Sequence, residues 1–159
     1  MNEFKTIVTP IDFSENAPKI AESAIYVAGK FKAALHFVFV VQDFEDYTGF
    51  MDLPANMMNL KQEIFESAEI QMHSFVDERS AKCEAAGIPA VQSKVLSGDI
   101  AEEIMGYAKN NACDLIIMGT HGYKGLERII FGSVADKVVK NACCPVLTIN
   151  PYQEECEKK

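Results

Sequence analysis

Short apolar runs alternate along this chain with longer stretches of helical period, and that alternation constrains what the chain can fold into. Phe4 to Ile11 is rich in β-branched residues and ends near Pro10, as a strand does. From Ala17, the apolar positions Ile20, Ala21, Ala24, Ala28 and Phe31 follow a helical period. Ser14 or Asn16 can cap that helix, and Pro18 is tolerable only in its first turn. Leu35 to Val41 is almost wholly apolar, the mark of a strand covered on both faces. Gln42 to Asn59 shows no clear period. A long helix is then expected with Leu60, Ile64, Ala68, Met72, Phe75, Val76 and Cys83 on one face, stopped by Gly87 as a left-handed cap with Pro89 beyond.

The second half repeats the pattern. Ala90 to Leu96 reads as a strand, and Asp99 with Glu102 has capping-box spacing at the start of a helix to about Asn111. Asp114 to Met118 is a fourth strand. A glycine-bearing segment, Gly119 to Gly132, leads to a helix over Ser133 to Asn141 and a last strand over Pro145 to Ile149. Strict β-α alternation with crossover helices requires a mostly parallel sheet with helices on both faces. The expected organisation is one α/β domain over residues 1–152 and a charged tail over 153–159.

Composition narrows the function classes. At 159 residues and 48% hydrophobic content, the chain can bury a full core without disulfide or metal staples. A formal net charge of −8 speaks against general binding to nucleic acid or anionic membranes, which needs a positive surface. Neither a membrane-spanning apolar run nor a signal peptide is visible, so a cytoplasmic location is expected. The five cysteines contain no C-x-x-C pair, and Cys83, Cys113, Cys143 and Cys144 are expected to be small buried hydrophobes, with Cys156 an exposed tail thiol. His36, His73 and His121 match no zinc spacing, and no metal site built from Cys and His is expected.

In an open parallel sheet, ligands bind beyond the carboxyl ends of the strands, where strand order reverses. That directs attention to Pro10–Ser14, Val40–Asp43, Leu96–Asp99 and the stretch from Met118 onward. Neither a Walker A loop nor a dinucleotide fingerprint is present. The means of binding phosphate are nevertheless there. Gly119 and Gly122 let backbone N–H groups approach a ligand. Gly132 and Ser133 stand at a helix start, where unpaired N–H groups and the helix dipole favour an anion. Lys124, Arg128, Lys137 and Lys140 outnumber Glu127 and Asp136 across this segment. The plain alternative is that these glycines only turn the chain and the serine only caps a helix.

Gly119-x-x-Gly122, nine residues, then Gly132-Ser133 resembles the G-2x-G-9x-G-[ST] motif of ATP-binding universal stress proteins. Pro10-Ile11-Asp12-Phe13-Ser14 looks like that family's first strand end, Gly98-Asp99 like its third, and Cys144-Pro145-Val146-Leu147 like its last; the similarity spans residues 3 to 150. The resemblance implies a Rossmann-like five-stranded sheet in the order 3-2-1-4-5, and a homodimer. It also implies that Pro10, Ile11, Asp12 and the backbone near Val40 hold adenosine. Met118, Gly119, Gly122, Gly132 and Ser133 would surround ribose and phosphates, Val134 and Ala135 would extend the contacts at the helix start, and Thr120 and His121 lie between the glycines. Asp12 could instead only form a turn, and His121 could be a bystander.

The expected ligand is ATP, AMP or another adenine nucleotide, with Mg2+ only in its company. The leading reading is a regulatory stress-response module whose nucleotide occupancy is read by a protein partner. It would pair with its twin through Val146, Leu147, Thr148 and Ile149, an apolar edge that would otherwise invite aggregation. The rivals are a slow ATPase or nucleotidyl-transferring enzyme on the same fold, and a dimeric interaction module that binds no nucleotide. No catalytic residue is assigned.

Overall fold

The computed structural model describes residues 3–43, 55–120 and 132–152. Five strands, β1 (Thr6–Pro10), β2 (Ala34–Gln42), β3 (Val91–Gly98), β4 (Leu115–Gly119) and β5 (Val146–Ile149), form one sheet. All its pairings are parallel and its order is β3-β2-β1-β4-β5. Helices α1 (Ala17–Phe31), α2 (Ala55–Asp77), α3 (Ser80–Ala85), α4 (Ile100–Asn110) and α5 (Ser133–Asn141) connect and cover it. Strand order reverses at β1, so the crevice beyond the carboxyl ends of β1 and β4 is where a ligand site belongs.

Side-chain alternation along the strands sends two sets of apolar groups to opposite faces. On one face Ile7, Leu35, Phe37 and Ile117 pack with Ala21, Ala24 and Ala28 of α1 and with Met72 and Phe75 of α2. On the other, Val8, Val38 and Ile116 pack with Ile104 and Ala108 of α4 and Val138 of α5. Asp114 ties the start of β4 to the start of β1, its Oδ2 accepting the N–H groups of Lys5 and Thr6 at 2.9 Å each.

The expected long helix is two helices. Arg79 donates from Nη1 to the Phe75 carbonyl at 2.7 Å and stacks on the Phe75 ring, while Ser80 Oγ donates to the Asp77 carbonyl at 2.8 Å. These side chains take up carbonyls where the chain passes from α2 to α3. The second helix does stop at Gly87: with φ +73°, it donates to Glu84 O while Ile88 donates to Cys83 O, the two bonds of a Schellman cap. Residues 55–59, expected to lack a period, are already helical, and β2 runs on to Gln42. Asn16 holds the N-cap position of α1 without capping it; its Nδ2 donates to Tyr152 Oη at 3.0 Å, and the Ser14 carbonyl receives the Ala17 N–H.

Cys83 and Cys113 are buried and Cys144 is half-buried, but Cys143 is exposed, contrary to expectation, because it sits in the turn entering edge strand β5. Burial pushes the Cys113 thiol up to about 12 and the Cys144 thiol to about 11. Both are therefore protonated near neutrality. Cys156 and the 153–159 tail lie outside the described residues.

Candidate functional site

A cavity of about 760 Å³ opens at the carboxyl ends of β1, β2 and β4. Its floor is Pro10, Ile11 and Asp12 after β1, Val40 and Val41 in β2, and Met118, Gly119 and Thr120 at the end of β4. Gly132, Ser133, Val134 and Ala135, the start of α5, form one end. Eleven of the thirteen residues singled out from the sequence thus line one space. His121 and Gly122 fall outside the described residues. Leu96–Asp99 does not line the cavity; β3 is an edge strand, and Asp99 instead caps α4.

Two backbone features shape the floor. Asp12 Oδ1 accepts the Ser14 N–H at 2.9 Å, so this carboxylate forms a turn and lines the cavity as well. Between them Phe13 has φ +56°, a conformation an aromatic residue rarely adopts. Its ring lies against Phe39 and Phe75, at centroid distances of 4.6 and 6.1 Å, and this packing holds the bend beside Asp12.

The α5 end is built by close approach. Gly132 N donates to Thr120 O at 2.9 Å, and a Cβ on Gly132 would meet that same carbonyl oxygen at 2.9 Å. Only glycine fits there without displacing the end of β4. Thr120 is itself anchored to β5, its N–H and Oγ1 both directed to Ile149 O. Because its N-cap is glycine, α5 has no side-chain cap, and its first intrahelical bond in this turn runs from Asp136 N to Gly132 O at 2.9 Å. The Ser133, Val134 and Ala135 N–H groups have no acceptor within the helix, and the Ser133 hydroxyl stands beside them. This end of the cavity is suited to an anion.

Further residues, outside the strand ends and the glycine motif, complete the walls. Ala17 and Ile20 of α1, Phe39 of β2, Ile100 and Ile104 of α4, and Met57, Leu60 and Ile64 of α2 make most of the lining apolar. At the rim, Lys61 Nζ pairs with Asp43 Oδ2 at 2.8 Å, and Lys61 is the single lysine or arginine among the described lining residues. Leu60 and Ile64 share the helical spacing of Ala68, Met72 and Phe75, which are buried. They are exposed instead, overhanging the cavity where the sheet ends. Among the described residues, no group of three or more His, Cys, Asp or Glu side chains could hold a metal ion, and no helix is long and apolar enough to cross a membrane.

A parallel sheet in this order, with helices on both faces and a crevice where strand order reverses, is a Rossmann-like α/β architecture. Comparison with known proteins gives the family. The universal stress protein family model matches residues 3–150, and the chain belongs to that family. It is 35% identical over 159 residues to universal stress protein MJ0531 of Methanocaldococcus jannaschii, covering 97% of this chain and 86% of that protein. The solved universal stress protein UspA from Lactobacillus plantarum superposes with a TM-score of 0.79 at 22% identity, over 94% of this chain and all of that one. The same fold recurs in a universal stress protein in complex with cAMP, with a TM-score of 0.65 at 16% identity over 94% of this chain and 99% of that one. It recurs again in one from Archaeoglobus fulgidus in complex with dAMP, at 0.56 and 18% over 94% and 100%.

Proposed function

We propose that the chain is a regulatory universal stress protein that binds an adenine nucleotide in the cavity at the end of β1 and β4. The observation that carries this reading is the start of α5, Gly132 to Ala135, which has no side-chain cap among the described residues and opens into a mostly apolar cavity. Phosphate would take the N–H groups of Ser133, Val134 and Ala135 and the Ser133 hydroxyl. The base would lie among apolar walls, with Asp12 and the Val40 backbone toward the ribose and base. The family members solved with cAMP and dAMP support adenine as the base. Mg2+ would enter with a polyphosphate, which supplies the oxygen ligands it prefers.

Binding suits the site better than turnover does. Of the two carboxylates among the described lining residues, Asp43 is ion-paired with Lys61 and Asp12 Oδ1 accepts the Ser14 N–H, so each is engaged by the chain itself. Occupancy would be signalled to a protein partner from the cytoplasm. Native mass spectrometry of freshly purified protein tests the reading. A mass increment matching an adenine nucleotide supports it, and failure to bind added ATP, AMP or cAMP contradicts it.

The homodimer belongs to the same proposal. β5 is an edge strand with Leu147 exposed, and pairing with a second copy would cover it. Light scattering should find a dimer at micromolar concentration and a shift toward monomer in Leu147→Lys. A monomeric wild type contradicts the pairing.

A further inference from the structure

Among the described residues lining the cavity, the polar side chains that are almost fully buried are Asn16 and Thr120, at 4 and 7% exposed. They stand on different elements, one at the start of α1 and the other after β4, yet the same short segment holds both. Thr120 directs its N–H and Oγ1 to Ile149 O, and Asn16 Nδ2 donates to Tyr152 Oη at 3.0 Å. That segment is itself fixed, since Tyr152 N donates to Asn150 Oδ1 and Lys19 Nζ to Pro151 O, each at 3.0 Å.

The Tyr152 contact continues to the cavity floor. Asn16 N donates to Ser14 Oγ at 3.3 Å, and Ser14 N donates to Asp12 Oδ1 at 2.9 Å. A hydrogen-bonded chain thus leads from Tyr152 through Asn16 and Ser14 to the carboxylate of Asp12. It runs along a turn that contains Phe13 at φ +56°, a conformation that persists only where its surroundings over-determine it. Packing of the Phe13 ring fixes one side of that turn, and the Asn16–Tyr152 bond fixes its far end. An asparagine at an N-cap ordinarily caps its helix. Asn16 makes no such cap, and its buried amide is turned to Tyr152.

We propose that Tyr152 is a positioning residue of the nucleotide site, placing Asp12 through Asn16 and Ser14 and so setting affinity for the nucleoside part of the ligand. This rests on the nucleotide reading above and goes beyond it by adding a residue that does not itself line the cavity. The start of α5 lies outside this chain of bonds, so the phosphate's share of the affinity is independent of it.

Calorimetric titration of adenosine and AMP would compare wild type, Tyr152→Phe, Asn16→Ala and the double variant, with thermal melts confirming that each is folded. Tyr152→Phe keeps the ring and removes only the hydroxyl. It should weaken adenosine and AMP alike, by about threefold to tenfold, the worth of a neutral hydrogen bond, leaving the ratio of the two affinities unchanged. The double variant should bind no more weakly than Asn16→Ala, because the two residues act in series. AMP binding by wild type with no loss in Tyr152→Phe overturns this inference and leaves the nucleotide reading standing. Losses that multiply in the double variant, or a loss confined to AMP, also overturn it, because Tyr152 would then act by another route. Failure of wild type to bind either compound overturns both.

Discussion

Helices α4 and α5 begin at the same edge of the sheet, each following a strand, and their N-cap backbones are nearly alike. Asp99 has φ −70° and ψ 125°, and Gly132 has φ −68° and ψ 154°. The difference is the side chain. Asp99 Oδ1 accepts the Glu102 N–H at 2.9 Å and, with Glu102, receives Lys137 from α5 at 3.3 and 2.9 Å. The positive end of α4 thus carries its own anion. At α5 any Cβ would strike Thr120 O, so a capping side chain is excluded. Steric closeness alone accounts for the glycine, and the cavity lies in front of it. One helix start carries a side-chain cap from its own N-cap residue, and the other does not.

The largest expected effect breaks the α5 side. Gly132→Val forces a branched Cβ against Thr120 O and displaces the helix start from the end of β4. ATP or AMP binding should fall below detection, with a loss of melting temperature that leaves the protein folded. Calorimetry with thermal melts checks both, and undiminished nucleotide affinity would show that α5 is not the phosphate end.

Breaking the α4 side should do the reverse. Asp99→Ala removes a cap worth about 1 kcal/mol, lowering stability by about that amount, while nucleotide affinity stays where it was. Denaturant melts and a titration in parallel distinguish the two helix starts. A fall in affinity matching that of the Gly132 variant would mean that they act as one unit.

How much of this contrast could be read beforehand follows from how local its causes are. The α4 cap was legible because Asp99 and Glu102 carry their chemistry at fixed sequence spacing. The strands and α1 were legible because burial imposes a period on the side chains themselves. The α2–α3 break was not, since it has no Gly or Pro and depends on Arg79 and Ser80 reaching back to carbonyls. Nor was the cavity wall: Leu60 and Ile64 continue the core's spacing, and only the end of the sheet separates them from it. The glycine motif pointed to Gly132, but the reason for it, a carbonyl from Thr120 twelve residues earlier, exists only in the folded chain.

The smallest effect is in pH. The Glu102 N–H, chiefly, and then Lys137 hold the Asp99 carboxyl below its ordinary value of 3.8. Its contribution is therefore full above that value and is lost as pH falls through the native-state pKa. Asp99→Asn should flatten the stability profile only in that acidic range. His36 acts in a separate window. Buried and 3.2 Å from Tyr107 Oη, its pKa is lowered by burial below 6.5. The unfolded chain takes up that proton first, so stability declines as pH drops below about 6.5 and levels off below the native value. Denaturant midpoints across pH 3 to 8 should show both declines, and a midpoint that rises on acidification from pH 7 to 5 would contradict the His36 assignment.

The central claim, that the open start of α5 receives a phosphate, is tested most directly by titrating adenosine and AMP into wild type and Ser133→Asp. The substitution places a carboxylate in the first turn of α5, as Asp99 does beside α4, which stabilises the helix slightly and repels an incoming anion. The account predicts that wild type binds AMP about tenfold or more tighter than adenosine, a charge-assisted hydrogen bond being worth roughly 1.5–3 kcal/mol. In Ser133→Asp that advantage should vanish while adenosine affinity persists. Equal affinity for adenosine and AMP in wild type, or an AMP advantage that survives the added carboxylate, would contradict it.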